Sequence, residues 1–228
     1  MKKLLFSGFL FVVLAVNAFA QESRSFQVSG FTKLAMGSAF KIDVRQGSKF
    51  SVITTGRSED LNDLEGKVSG GEFKLGYKSN GWNKNRKTVN VSITMPSLQG
   101  VDFSGASTAT VEKFSGVTAM DIEVSGASKV TMALNAQKVS MDLSGASSLT
   151  LSGQTSTLNG EISGASSFKG RDFQAKEVNM EASGASSAAV VANNALRAEA
   201  SGASSIRYSG SVKDVHSSTS GASSVKRD

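Results

Sequence analysis

Six acidic side chains recur at a near-constant spacing in the second half of the chain. They form what we call the acidic ladder: Asp102, Glu123, Asp142, Glu161, Glu181 and Glu199. Carboxylates repeated in this way could bind Ca²⁺, which prefers about six to eight oxygen ligands. A neighbouring pair could instead act as acid and nucleophile, as in retaining glycosidases. A solvated structural face is the favoured interpretation, because six nearly equivalent carboxylates contain no distinguished pair.

Other residues that could do chemistry are few. His216 is the only histidine and there is no cysteine, so a tetrahedral zinc site is not indicated. His216 lies beside Ser217 and Ser218, but a catalytic triad would also need an orienting carboxylate and an oxyanion site. No phosphate-binding or dinucleotide-binding glycine motif is present. We therefore expect no enzymatic activity and no cofactor beyond the Ca²⁺ considered above.

One unrepeated segment has the composition of a recognition loop. Residues 79–87 place the only tryptophan among turn-forming residues and three cations: Trp82, Lys84, Arg86 and Lys87. An exposed indole beside basic side chains suits a sugar ring or an anionic glycan. The alternative is a hairpin loop whose Trp82 folds back over the body of the protein, since tryptophan is highly buried on average.

A tetrapeptide repeat determines what must position these residues. Ser-Gly-Ala-Ser occurs seven times at intervals of 18 to 21 residues, starting at Ser104, Ser125, Ser144, Ser163, Ser183, Ser201 and Ser220. A period near 19 indicates stacked repeats. Each ladder residue lies two positions before a tetrapeptide, and Ser218 occupies that place before the last one.

Apolar residues alternate with polar ones on both sides of each tetrapeptide, which predicts strands with one buried face. A unit of 19 residues cannot bury that face alone, but coils stacked about 4.8 Å apart would bury it and pair the backbone. The glycine supplies a positive φ or a close backbone approach at one corner. We predict an all-β fold, a right-handed parallel β-helix or β-solenoid of about seven 19-residue coils. In it the ladder points outward, and Lys169, Arg207 and Lys226 are candidates to neutralise part of it.

The sequence divides into three parts. Residues 1–20 combine Lys2 and Lys3, an apolar run and a small-residue cleavage pattern, so they predict a signal peptide. Residues 21–100 alternate without the tetrapeptide and predict a strand-rich cap, and residues 101–228 form the β-helix. We expect export to the periplasm, the outer surface or the medium, with no transmembrane anchor.

The distribution of basic residues and the composition of the last coil both bear on which partners the protein could bind. The excess of basic residues is dispersed in the front half, so it does not form the stripe expected of a specific nucleic-acid binder. The last coil is polar and ends in Lys226, Arg227 and Asp228, which blunts an open edge. The opposing possibility is self-association through this terminal coil.

Several of these features together resemble a known family. The strand carrying Phe40, Val44, Gln46 and Gly47, the junction at residues 95–98 and the iterated Ser-Gly-Ala-Ser are similar to the GIN-domain family. That family is described as the head domain of proposed auto-transporter adhesins, exported by Gram-negative bacteria. The resemblance implies a β-solenoid and an adhesin-like role, without catalytic residues.

We therefore predict an exported, non-enzymatic β-solenoid that binds a glycan or a surface protein, or takes part in envelope assembly. Two alternatives stay open. Parallel β-helices often carry polysaccharide lyases and hydrolases, so a polysaccharide-active enzyme is the first. A self-assembling scaffold is the second.

Overall fold

The computed structural model describes residues 22–78 and 85–228, and nearly all of its regular structure is β-strand. The front part contains β1 (Glu22–Phe26), β2 (Lys33–Met36), β3 (Lys41–Gln46), β4 (Ser51–Gly56), α1 (Ser58–Asn62), β5 (Leu64–Ser69), β6 (Glu72–Tyr77) and β7 (Asn90–Met95). The repeat part contains β8 (Gly100–Phe103), β9 (Thr108–Val124), β10 (Lys129–Leu143), β11 (Ser148–Ile162), β12 (Ser167–Ala182), β13 (Ser187–Ala200), β14 (Ser205–Ser209), β15 (Asp214–Thr219) and β16 (Ser224–Arg227).

The repeats stack as parallel coils, which confirms the predicted β-solenoid of about seven turns. Val130 in β10 pairs with Leu149 in β11, and Leu149 pairs in turn with Phe168 in β12. Register shifts interrupt the pairing of β9 with β10, of β11 with β12 and of β12 with β13. We divide each coil into three segments around one apolar core: a ladder segment before the tetrapeptide, a serine segment after it, and a middle segment.

Each tetrapeptide forms a corner between a ladder segment and a serine segment. All seven glycines have φ between 69° and 75°. A Cβ atom on Gly145 would lie 2.5 Å from the carbonyl oxygen of Gly126 in the coil before it. The glycine therefore serves both predicted purposes, a left-handed backbone and close stacking.

The other corner residues divide between the inside and the outside. The last serine of the tetrapeptide is buried in the first six copies, and the hydroxyl oxygens of Ser147 and Ser166 lie 3.2 Å apart. Ser204 Oγ donates a hydrogen bond to the Ala182 carbonyl oxygen at 2.9 Å. The alanine is exposed in each of the seven tetrapeptides.

Two further coils come from the front segment, out of chain order. β2 and β3 pair with β8 and β9, and on their other side they pair with β6 and β7. Residues 37–40 form the corner of this inserted coil, with Ser38 at φ 76° where the repeats have glycine. The parallel stack thus crosses residue 100, the boundary drawn from the sequence between cap and β-helix.

The two ends of the stack differ. Antiparallel strands close the upstream end, where β5 pairs with β6, and β4 joins β1 to β7. At the downstream end, β15 pairs with β13 and is exposed throughout, and Val215 has 40% of its surface exposed. Self-association through this coil stays a prediction.

No described helix has the length and apolar character needed to cross a bilayer.

Candidate functional site

The acidic ladder is a straight row of side chains on the outside of the solenoid. Glu123 pairs in register with Asp102 and Asp142, and Glu161 pairs with Asp142 and Glu181. Glu199 continues the row, since it pairs with Glu181. Stacked coils hold equivalent residues about 4.8 Å apart, so like charges face one another along the whole row.

A second outward row runs beside the ladder, two residues earlier in each coil. It consists of Gly100, Asp121, Ser140, Asn159, Asn179, Arg197 and His216. Asn179 Nδ2 donates to Asn159 Oδ1 at 2.9 Å, so neighbouring coils are bonded through their side chains as well.

Two hollows follow the ladder along the solenoid axis, one on each side of it. The hollow between the ladder and the second row has a volume of about 440 Å³ and extends from Lys33 and Glu72 to Glu161. A smaller hollow of about 270 Å³ begins at Asp142 and Glu161 and continues over the lower coils, between the ladder and the corner serines. We call the two together the acidic groove.

Cations contact the acidic groove at its ends. Lys33 Nζ lies 3.1 Å from Asp121 Oδ2, and Arg197 Nη2 lies 2.9 Å from Glu199 Oε1. Within the described residues, the ladder carboxylates between Asp102 and Glu199 form no salt bridge. The middle of the groove therefore presents uncompensated negative charge.

The three cations considered as neutralising partners lie on the serine segments, beyond the corner. Lys169 pairs in register with Thr150 and Ala189, not with a ladder residue. Arg207 lies 3.4 Å from Asp228. The corner thus separates these cations from the ladder, and they do not form ion pairs with it in the described structure.

Asp102 has the most perturbed environment of the ladder. Partial burial raises the pKa of its carboxyl above the ordinary value of 3.8, and the negative charge of Glu72 raises it further. Lys74 opposes this shift, but it is itself paired with Glu72 at 2.9 Å.

We expect this carboxyl to make stability depend on pH. A raised pKa means that the folded state binds the proton more readily, so the contribution is present below pH 3.8 and is lost as the pH rises through the folded-state pKa. Asp60 acts in the opposite sense, because its hydrogen bond to Arg57 lowers its pKa, but its contribution is lost only below pH 3.8. The melting temperature of wild type should therefore gain more than that of Asp102→Asn between pH 7 and 4. Equal changes in the melting temperatures of the two proteins between pH 7 and 4 would contradict a raised pKa for Asp102.

The structure bears on the metal hypothesis as well. Among the described residues, no three histidine or acidic side chains converge on a point that could hold a metal ion. The ladder spreads its carboxylates along a line, whereas Ca²⁺ needs ligands around it.

His216 has an acidic partner but no nucleophile. Its Nδ1 lies 3.0 Å from Asp214 Oδ1, and three quarters of the histidine side chain is exposed. In the described part of the chain, no serine hydroxyl hydrogen-bonds to His216. The arrangement lacks the protected nucleophile–base contact that a triad requires.

The predicted recognition loop is described only in part, because Trp82 and Lys84 lie outside the described residues. Arg86 packs inward: its guanidinium lies 2.6 Å from Asp63 Oδ2 and 3.5 Å from the centre of the Tyr77 ring, with 17% of its side chain exposed. Lys87 has an exposed side chain, and its backbone N–H donates to Asp60. Of the two predicted binding residues that are described, Arg86 therefore packs against the body of the protein, whereas the side chain of Lys87 is exposed.

Comparison with known proteins assigns the chain to a family. The family described as "Putative auto-transporter adhesin, head GIN domain" matches residues 30–212. The chain belongs to this family. No curated protein matches this GIN domain.

Solved structures share the fold of this GIN domain at low sequence identity. A "putative adhesin" of Bacteroides fragilis has a TM-score of 0.82 and 21% identity, over 92% of this chain and 97% of that one. A "putative lipid binding protein" of Parabacteroides distasonis has 0.69 and 19%, over 93% and 98%. A "putative adhesin" of Parabacteroides merdae has 0.69 and 17%, over 93% and 97%. At these identities the similarity establishes the fold alone.

Proposed function

We propose that this GIN domain is an exported, non-enzymatic binding protein of the adhesin type, and that it contacts a basic polymeric partner through the acidic groove. One observation carries the proposal: equivalent carboxylates stand in register across successive coils and line an open groove. A site that repeats along an axis suits a partner that repeats as well.

The charge of the groove defines the partner. Like charges stacked in register destabilise a sheet, so the ladder carries a cost in the free protein. A partner with several cations would offset that repulsion and gain attraction in the same step. Lysine-rich or arginine-rich segments of a surface protein have this chemistry.

Two further points support this role. The family and the structural relatives are named as adhesins, which suggests a location outside the cell or at its surface. The predicted signal peptide, which lies outside the described residues, is consistent with export. The family name and the predicted signal peptide bear on location and general role. The choice of a basic partner rests on the charge of the acidic groove.

The same symmetry argues against catalysis. A retaining glycosidase needs two carboxylates in different environments, one protonated and one ionised. Asp142 and Glu161 occupy equivalent positions in neighbouring coils, and both are exposed. We expect no turnover of neutral or uronic-acid polysaccharides, and loss of such turnover on replacing these two residues would establish the enzymatic alternative instead.

Binding of a ten-residue oligolysine tests the proposal. We expect the triple variant Asp142→Asn, Glu161→Gln, Glu181→Gln to weaken binding by about one to two orders of magnitude, since each exposed ion pair contributes up to about 1 kcal/mol. Calorimetry at low ionic strength should show this, and added salt should weaken binding of the wild type.

A variant with the same change in net charge provides the control. Asp43, Glu112 and Asp172 lie on other segments of the coils, and their amide replacements should leave the affinity within about twofold. Equal weakening by both triple variants would mean that only net charge matters, and no binding by the wild type would reject the acidic groove as the site.

A further inference from the structure

A row of amide side chains follows the middle segments of the coils, away from the acidic groove. Asn135 pairs in register with Gln154, and Gln154 pairs with Gln174. Asn193 extends the row, because its Nδ2 donates to Gln174 Oε1 at 3.2 Å. Three successive coils thus present an uncharged amide in register, and the fourth adds Asn193, two residues beyond Val191, which is the residue that pairs with Gln174.

The amide row forms one wall of a groove of about 440 Å³. Its other wall carries Gln137, Ser156 and Lys176, and between the walls lie the small residues Ala136 and Ala175. The groove begins at residues 116–117 and ends at Asn193, so it crosses five coils. Four intervals of about 4.8 Å give it a length of roughly 19 Å.

The chemistry of this groove differs from that of the acidic one. Lys176 is its only charged lining residue among those described. Gln154, at its centre, has no side-chain hydrogen bond to another described residue, so both its N–H groups and its carbonyl oxygen face solvent. A primary amide can donate and accept at once, and a sugar hydroxyl can do the same.

We propose that this amide groove binds a linear, neutral glycan. The open length accommodates several sugar rings, and repeated amides meet repeated hydroxyls without requiring charge on either side. A phosphate backbone would need more than one cation, and a carboxylated glycan would leave most of its charges unpaired here. The site is separate from the acidic groove, so it stands whether or not that groove binds a basic partner.

Side-chain amides also stack for structural reasons, and the matched control separates the two roles. Asn159 and Asn179 form a similar inter-coil amide pair on the ladder segments. Removing that pair should affect stability about as much as removing Gln154 and Gln174, because each double substitution removes one inter-coil hydrogen bond between amides. Only the latter should affect glycan binding.

The test uses linear hexasaccharides of β-1,4-linked glucose, β-1,4-linked xylose and α-1,4-linked glucose, with a hexamer of galacturonate as the charged counterpart. In calorimetry and side-chain amide NMR, we expect at least one neutral hexamer to bind the wild-type protein and shift the Gln154 and Gln174 resonances. Gln154→Ala, Gln174→Ala should weaken that binding about tenfold, whereas Asn159→Ala, Asn179→Ala should not change it.

Three results would overturn the assignment: no binding of any neutral hexamer, tighter binding of galacturonate, or equal weakening by the two amide variants. The acidic-groove triple variant should bind the neutral hexamer normally, and the amide variant should bind oligolysine normally. Failure of one site therefore leaves the other testable.

Discussion

Gly145→Ala is expected to lower the free energy of unfolding by at least about 3 kcal/mol. Its φ of 73° costs a residue with a Cβ atom about 1–2 kcal/mol. The new Cβ would also lie 2.5 Å from the Gly126 carbonyl oxygen. That oxygen accepts a hydrogen bond from Ala146 N–H at 2.7 Å, so it cannot move away without breaking the pairing between corners.

Gly116→Ala is the matched control, because it isolates the conformational cost. Gly116 has a φ of 73° as well, but a Cβ atom there meets nothing within 4 Å. We expect a loss of about 1–2 kcal/mol, measured by denaturant unfolding of the three proteins side by side. Equal losses for the two variants would show that close stacking of the corners does not contribute to stability.

The second large effect is expected for Phe168→Ala, at about 3–5 kcal/mol. The ring is fully buried between Leu149 and Ala188 of the neighbouring coils. It fits because Gly170, two residues later, has no side chain: a Cβ atom there would lie 2.7 Å from the ring. Removing the ring leaves a cavity that the paired strands on either side cannot close.

Ile53→Ala gives the comparison for this effect. Ile53 is the described isoleucine with a large exposed fraction, 40%, so its truncation should change stability by no more than about 0.5 kcal/mol. Thermal and denaturant unfolding measure both variants. A loss below about 1 kcal/mol for Phe168→Ala would contradict a close-packed interior at this level of the stack.

Much of the repeat region follows from the sequence because its determinants are local. The interval between tetrapeptides sets the coil length, and strict alternation places Glu161 outside when Ile162 is inside. The register of the ladder then follows from the period. Glycine at the corner is explained by one φ angle and one close contact, both implied by stacking identical turns.

The inserted coil could not be predicted in this way. Residues 37–40 carry Ser38 and Ala39 at positive φ and place Phe40 where the repeats have a buried serine, so no tetrapeptide marks the corner. β3 lies between β7 and β9, and that placement depends on pairings between distant parts of the chain.

The two proposed binding surfaces were predictable to different degrees. The acidic ladder is visible as a column two residues before the tetrapeptide. The amide row was missed, although Asn135, Gln154, Gln174 and Asn193 lie ten or eleven residues after the first serine of their tetrapeptides. Register shifts in the middle segments blur that column, and uncharged amides draw less attention than carboxylates. Which cations face the ladder depends on the bend at the corner, which alternation does not specify.

The central claim is that this GIN domain binds through side chains repeated along its coils. Backbone NMR during titration with oligolysine tests it most directly. We predict shifts that follow the acidic groove over at least four coils, from Asp102 to Glu181, and that disappear in the triple variant. Shifts confined to residues 79–87 or to the terminal coil, with the ladder unchanged, would contradict the claim.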